Sequence, residues 1–190
     1  MSELEGLSDR DKAVLRSIFD PTSTIADVVD DGDNFVEDEA PSTDSDRTSI
    51  ELCSRGVQLA ESGKLEEALA LLNQGIAAAP DRASAYNDRA QLYRLMLRDD
   101  DAMADLDRSL QLSSGSGGRA RALALCQRGV LLRKRGAADD ARAAFAEAAS
   151  LGSAFARKQA VEMNPYAALC NQMLSQVMRG ETEIKLQVDK

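Results

Sequence analysis

Apolar residues recur along most of the chain at spacings of three and four, which is the period of an amphipathic α-helix. The first such run is short and extends from Val14 to Phe19 before Pro21 ends it. We expect residues 1–26 to form an arm that carries this helix. Because an isolated helix of this length is marginally stable, it must pack on its own domain or on a partner.

The apolar pattern stops over residues 27–47. From Asp27 to Asp46 there are nine acidic residues, no basic residue and few apolar ones. A segment of this composition buries too little apolar surface to offset the entropy lost on ordering. We therefore predict an acidic, disordered linker.

Three similar segments follow the linker. Each has a large, a small and a large residue on a first helix, then an alanine and a large residue on a second helix, at identical offsets. The matching residues are Leu52, Gly56, Leu59, Ala68 and Leu72 in the first segment, Tyr86, Ala90, Tyr93, Ala102 and Leu106 in the second, and Leu125, Gly129, Leu132, Ala141 and Phe145 in the third.

The spacing of the segments indicates the kind of repeat. Leu52 and Tyr86 are 34 residues apart, and Tyr86 and Leu125 are 39 apart, with five extra residues assigned to the flexible turn Ser113–Arg119. A 34-residue period with this pattern is typical of tetratricopeptide repeats, in which helix pairs stack into an all-α solenoid; a plain helical bundle is the alternative. The predicted units are repeats at 48–81, 82–115 and 121–154, C-terminal capping helices at 155–180 and a frayed tail at 181–190.

The small residues of the pattern have a packing role. Where two helices of a repeat cross, a side chain larger than methyl forces them apart. The predicted turns use Gly63 and Gly136 to end the first helices of repeats 1 and 3, whereas Leu97 occupies the glycine position in repeat 2 and leaves that turn uncertain. The crossing residues are Gly56, Ala90 and Gly129 on the first helices, and Ala68, Ala102 and Ala141 on the second helices.

A solenoid needs a cap over its last apolar face. We expect a helix over residues 153–162 with Phe155, Ala156 and Val161 as its buried part. A second helix is predicted to begin at Asn164, which precedes a proline and a run of apolar residues at helical spacing.

Charge and residue types exclude several functions. The formal net charge is -9, but residues 1–50 hold 14 acidic and 4 basic residues, so the rest of the chain has a net charge of +1. Neither part has the strongly basic surface that nucleic acid requires. The chain has no histidine, which is the commonest general base and zinc ligand, so we expect no metal or other cofactor.

The location follows from the cysteines and the N-terminus. Cys53, Cys126 and Cys170 lie far apart in apolar helical runs and indicate reduced, packed thiols. The acidic N-terminus lacks the apolar core of a signal peptide, and no later run approaches the roughly 18 apolar residues that span a bilayer. We expect a monomer in the cytoplasm or nucleus without membrane contact.

Catalysis is not expected. Without histidine the candidate groups are cysteine, lysine and carboxylates. Cys126 lies near Arg128 in sequence and could have a lowered pKa, but a small thiol within a helix-packing motif is typical of a core.

The first helices are predicted to line a concave groove. Its apolar walls, polar centre and cationic side suit an apolar helix or extended peptide with a few acidic groups. The groove residues are Ile50, Cys53, Val57, Leu123, Cys126 and Val130 on the walls, Asn87, Asp88, Gln91 and Gln127 at the centre, and Arg94, Arg133 and Lys134 along one side.

Two interpretations of this groove stay open. The chain's own N-terminal helix covers its apolar residues, or a partner binds there; both hold if a partner displaces the arm. We hypothesise that the acidic arm pairs with the basic run between Arg119 and Arg135. Deleting residues 1–46 would then raise partner affinity in a salt-sensitive way.

Two stretches that flank the repeats and one within repeat 2 give a resemblance to a known family. AVLRSIFDP, RASAYNDRAQLYRL and LGSAFARKQAVEMNPYAALCNQML together resemble the tetratricopeptide repeat protein 36 family. The resemblance implies a small intracellular, non-catalytic protein of three repeats that binds other proteins. It also implies a link to heat-shock 70 chaperones and, in vertebrates, to the maintenance of an enzyme of tyrosine catabolism.

The chaperone link can be tested against the sequence. Co-chaperone repeats hold the terminal carboxylates of chaperone tails with two lysines, two asparagines and an arginine. The corresponding positions here are Cys53, Val57, Asp88, Leu123 and Gln127, none of which matches. We predict no clamp for an EEVD-type tail. The leading function is a scaffold for a client protein, and the alternative is a chaperone cofactor that acts without the clamp.

Overall fold

The computed structural model describes residues 32–36, 43–115 and 118–164, and seven further positions between 166 and 179. These residues form helices and no strand beyond one isolated bridge. The predicted helix within residues 1–26 and the tail at 181–190 lie outside the described residues. The helices are α1 (Asp44–Glu61), α2 (Leu65–Ala78), α3 (Ala83–Leu95), α4 (Asp99–Leu112), α5 (Arg119–Lys134), α6 (Ala138–Ser150) and α7 (Ala154–Glu162).

The first repeat begins earlier than predicted. Thr43 Oγ1 accepts from the Asp46 N–H at 3.1 Å, and Asp46 Oδ2 accepts from the Thr43 N–H at 3.0 Å, which is a complete capping box. Acidic residues in the first turn also complement the helix dipole. The end of the acidic stretch therefore starts α1 at Asp44, inside the range predicted as a linker.

Residues 32–36 also differ from a disordered linker. This segment is extended and forms backbone hydrogen bonds with the third repeat. Its single parallel bridge joins Val36 to Gly118. The prediction of disorder was therefore wrong for these five residues, because backbone groups far along the chain bind them.

The helices pair as α1 with α2, α3 with α4 and α5 with α6, and α7 stacks on α6. At the crossings, a Cβ added to Gly56 would lie 2.9 Å from Leu72 Cγ, and one added to Gly129 would lie 2.8 Å from Phe145 Cε1. A larger side chain at either glycine would separate its helices. The predicted crossing alanines are all fully buried, namely Ala68, Ala90, Ala102 and Ala141.

One further repeat position was missed in the sequence. Gly75, Ser109 and Ala148 are separated by the same 34 and 39 residues as the other positions, and all three are buried. A Cβ on Gly75 would lie 2.7 Å from Cys53 Sγ. The small residues at this shared position were visible in the sequence and would have predicted a close contact between the two helices of each repeat.

The turns inside the repeats share a left-handed residue. Gly63 and Gly136 have φ of 82° and 79°, and Leu97, at the position that made the second turn uncertain, has φ of 59°. The turn therefore forms in all three repeats despite the missing glycine.

The five extra residues between repeats 2 and 3 are divided between a loop and a helix. Four residues, 79–82, join α2 to α3, whereas six, 113–118, join α4 to α5. The other three lengthen α5 at its N-terminus. The prediction that all five lie in a flexible turn was wrong for Arg119, which is the first residue of α5.

The cap begins with α7. Ser153 Oγ accepts from the Ala156 N–H at 3.2 Å, and Ala156 is fully buried. Phe155 was predicted to be buried but is 48% exposed, because it lies at the margin of the buried face and packs its ring edge-on against Phe145 at 6.0 Å. Farther on, Asn164 Oδ1 accepts from the Tyr166 N–H at 3.0 Å, as an N-cap does.

Candidate partner-binding groove

The first helices of neighbouring repeats pack side by side, and a cavity of about 230 Å³ lies between α3 and α5. We call it the α3–α5 cavity. Four of the predicted groove residues line it together with three others. They are Gln91, Arg94, Val130 and Lys134, and the others are Leu95, Leu131 and Asp99 at the start of α4.

The predicted cations of the groove differ in their contacts. Lys134 Nζ donates to Asp99 Oδ2, and Arg133 donates to Gln159 Oε1. The Arg94 side chain forms no ion pair or hydrogen bond with any residue in the described part of the chain. Its guanidinium therefore keeps all of its donors for a ligand, beside Leu95, which is 56% exposed.

The basic run of repeat 3 is largely engaged by the repeats themselves. Arg121 pairs with Glu147, Arg128 with Asp107, and Arg135 with Asp100. Arg119 instead lies over the ring of Phe35, with its guanidinium carbon 5.7 Å from the ring centroid. Phe35 belongs to residues 32–36 of the predicted linker, which we call the arm segment. Among the described residues the arm segment meets this run at Arg119, through this aromatic contact and through the hydrogen bond from the Arg119 N–H to the Val36 carbonyl.

Asp88 gives the groove a titratable group. It is half-buried, and burial raises its pKa to about 6, while the nearby charge of Arg82 acts to lower the pKa. The same carboxylate adds to the effect of burial in raising the pKa of the Cys53 thiol. Val57, one helical turn from Cys53, is half-buried at the groove surface.

Asn87 and Cys126 do not line the groove as predicted. Cys53, Asn87 and Cys126 occupy one repeat position and are only 2%, 3% and 6% exposed. A residue three positions before the crossing residue shares its helix face, so this position points into the packing between helices. Placing these residues on the groove surface was therefore wrong.

Asn87 has a structural role. Its Nδ2 donates to the carbonyl of Ala120 at 2.7 Å, and Gln127 Nε2 donates to the carbonyl of Asn87 at 3.4 Å. Ala120 belongs to the first turn of α5, which the extra residues create. These bonds join α3 to α5, the two helices that form most of the cavity lining.

The surroundings of the Cys126 thiol disfavour its reactive thiolate form. Burial raises its pKa, and its Sγ lies 3.3 Å from Ser153 Oγ. Arg128, whose nearness in sequence was the reason to consider a lowered pKa, is engaged with Asp107. The structure thus contradicts a lowered pKa for this thiol.

Within the described ranges no cluster of three or more histidine, cysteine, aspartate or glutamate side chains is arranged to hold a metal ion. None of the helices described is both long enough and apolar enough to span a bilayer.

Curated relatives match nearly the whole chain. Tetratricopeptide repeat protein 36 of Danio rerio is 48% identical over 176 residues, covering 90% of this chain and 92% of the relative. The protein of the same name from Homo sapiens is 45% identical over 177 residues, covering 88% and 92%. The chain belongs to the tetratricopeptide repeat protein 36 family. No family model matches it.

The membership extends to insects. The tetratricopeptide repeat protein 36 homolog of Drosophila melanogaster is 46% identical over 173 residues, covering 90% of this chain and 93% of the relative. The resemblance seen in the flanking stretches of the sequence is thereby confirmed.

Solved structures establish the fold of this tetratricopeptide repeat protein 36 family member. The first TPR of Spaghetti (RPAP3), bound to the HSP90 peptide SRMEEVD, is 18% identical with a TM-score of 0.55, covering 65% of this chain and 95% of that chain. The Sgt2 TPR domain of Aspergillus fumigatus is 18% identical with a TM-score of 0.51, covering 81% and 94%. The predicted all-α tetratricopeptide fold is confirmed.

Proposed function

We propose that this chain is a non-enzymatic scaffold whose α3–α5 cavity binds a client protein. Arg94 carries the proposal, because its guanidinium has no partner among the described residues and lies beside Val130 and the exposed Leu95. An unpaired guanidinium next to apolar surface fits a client segment that presents a carboxylate beside an apolar side chain.

The client is an enzyme of tyrosine catabolism, which the scaffold shields or positions in the cytoplasm. Family membership supports this choice, and the polar and apolar lining of the cavity is compatible with a protein segment. A scaffold in this role needs no cofactor and no reactive thiol.

The test is a charge reversal at Arg94. The purified protein and its Arg94→Glu variant are titrated with each purified enzyme of the tyrosine-degradation route. A charge-assisted hydrogen bond contributes about 1.5–3 kcal/mol, so we expect affinity for the client to fall by roughly tenfold to a hundredfold.

Arg55→Glu is the control, since Arg55 also lies on a first helix, its side chain has no described partner and it lies outside the cavity; it is exposed, whereas Arg94 is half-buried. It should bind like the unaltered protein. Equal binding by a folded Arg94→Glu variant would move the client site away from the cavity.

The second candidate function is a heat-shock 70 cofactor that acts without a carboxylate clamp. At the clamp positions Cys53 is buried, Asp88 supplies a carboxylate, and Leu123 is apolar. Titration of the chaperone with and without its terminal EEVD separates the cases. Binding of equal strength to both forms supports this candidate, whereas loss on truncation contradicts our interpretation of the clamp positions.

A further inference from the structure

The arm segment is held by backbone hydrogen bonds on both of its sides. The Asn34 N–H donates to the carbonyl of Gly152 at 2.9 Å, and the Arg119 N–H donates to the carbonyl of Val36 at 2.9 Å. Arg119 begins α5, where helix amides lack partners within the helix. The segment thus bridges the start of α5 and the loop before α7, as an added strand bridges the groups it pairs with.

Asp33 provides an anionic contact at the start of α7. Its Oδ1 accepts from the Ala154 N–H at 2.9 Å. Ser153 takes a different amide, that of Ala156, so the two side chains satisfy separate donors of the same helix end. A carboxylate at this position also complements the positive end of the helix dipole.

Phe35 provides the second side-chain contact. Its ring lies under the Arg119 guanidinium, a geometry in which the cation is attracted to the ring face. Val36 is 68% exposed and contributes its carbonyl rather than its side chain. Side-chain recognition therefore depends on an aspartate and, two residues later, an aromatic residue.

The missing side chain of Gly152 leaves room for the backbone of the arm segment. It has φ of 99°, and a Cβ added to it would lie 1.9 Å from the carbonyl oxygen of Asn34. Gly136 has a similar left-handed conformation, but a Cβ there would meet nothing within 4 Å. Of these two left-handed glycines, Gly152 is the one that another chain segment approaches closely.

We propose that the surface formed by Gly118, Arg119 and Gly152 to Ala154, the α5–α7 edge, is a second binding site for extended peptides of the type Asp-X-Phe. The chain's own residues 33–36 occupy it, and a partner segment of the same chemistry displaces them. The site is separate from the α3–α5 cavity and does not depend on the function proposed for that cavity.

Occupancy by the chain's own segment is tested first in the full chain. Asp33→Ala combined with Phe35→Ala removes both side-chain contacts and vacates the edge. Amide hydrogen exchange at Ala154 and Arg119 should then become at least tenfold faster. The amide of Ala102, which donates to Arg98 within repeat 2, should be unchanged. Equal exchange at Ala154 and Arg119 in both proteins would overturn the proposal.

Binding in trans is tested with a fluorescent peptide copy of residues 31–37, DGDNFVE. The vacated full-length variant should bind it saturably. The unaltered chain should bind at least tenfold more weakly, because a tethered competitor acts at an effective concentration in the millimolar range. The absence of saturable binding to the vacated variant would contradict the proposal.

A glycine pair supplies the specificity control. In the vacated background Gly152→Ala should abolish peptide binding, whereas Gly136→Ala imposes similar backbone strain without the clash and should preserve it. A peptide with alanine in place of its phenylalanine gives a second control that leaves the protein unchanged. Equal binding by both glycine variants, or of both peptides, would show that the peptide binds elsewhere. Arg94→Glu should leave peptide binding intact, which separates this site from the cavity.

Discussion

Leu97 carries backbone strain that its counterparts avoid. Its φ of 59° lies in the left-handed region, where a residue with a Cβ costs about 1–2 kcal/mol. Gly63 and Gly136 hold the same place in the other repeats. The Leu97 side chain is 80% exposed, so removing it costs little packing.

We therefore expect Leu97→Gly to raise the free energy of unfolding by about 1 kcal/mol, net of the flexibility that glycine adds to the unfolded chain. Urea denaturation measures the change. Gly136→Ala is the reciprocal variant and should lower stability by a similar amount. The Cβ of the new alanine would have nothing within 4 Å, so backbone strain is the main effect of the change. A loss of stability in Leu97→Gly would show that the leucine side chain contributes more than its exposure indicates.

Asp88 makes stability depend on pH in a defined direction. Its pKa is raised from 3.8 to about 6 by burial, so the folded chain binds the proton more tightly than the unfolded chain. The contribution of this group to stability is full below about pH 4 and is lost as the pH rises through 6.

Asp88→Asn removes the titrating carboxyl group, so the variant does not lose this stability as the pH rises. The variant should gain about 1–2 kcal/mol relative to the unaltered protein between pH 4 and 7, less than the full linkage value because the side chain keeps some contact with solvent. Denaturation at several pH values measures the difference between the two proteins. A difference that stays constant across this range would contradict the raised pKa.

At the residue scale, the repeat pattern predicted which residues are small but not how each helix is rotated. The position shared by Cys53, Asn87 and Cys126 was placed on the groove, although its spacing from Gly56 puts it on the packing face. A repeat period shows which residues of different repeats occupy the same position. The three-residue spacing held the signal for the buried face, but which neighbour each position contacts depends on how the next repeat stacks, and one chain's periodicity does not specify that.

At the scale of elements, one ion pair joins three helices. Arg89 on α3 forms two hydrogen bonds of 2.7 Å with Asp105 on α4, and its Nη1 donates to Asn73 on α2 at 2.8 Å. Its guanidinium carbon also lies 5.7 Å from the ring centroids of Tyr86 and Tyr93. Repeat 1 is thereby fixed to repeat 2. The sequence held no signal for this pairing, because 16 residues separate partners that only the turn geometry brings together.

Removing one partner of this pair should be costly. Asp105 is buried, so Asp105→Asn leaves Arg89 with an uncompensated charge and should lower the free energy of unfolding by about 2–4 kcal/mol. Asp107→Asn is a matched control on the same helix. It breaks the exposed pair with Arg128 and should cost less than about 1 kcal/mol. Equal losses in the two variants, measured by urea denaturation, would contradict the special role of Arg89.

At the scale of the whole molecule, the sequence predicted the order of the repeats, the helix pairs and the division between an acidic arm and a nearly neutral domain. It did not predict where residues 32–36 bind. That contact depends on the turn added to the start of α5 and on the missing side chain at Gly152. Both features break the repeat pattern, so periodicity carries no information about them.

The same contact turns part of the solenoid into a closed ring. Val36 and Asp44 are eight residues apart, so the chain between them spans at most about 26–29 Å. One side of the ring is this short span, and the other runs from α1 through α4 to Arg119, where the bond to Val36 closes it. The curvature of stacked repeats changes by small rotations between neighbours. A ring of limited circumference restrains those rotations, so release of the arm segment would let repeats 1 and 3 move apart and widen the surface between them.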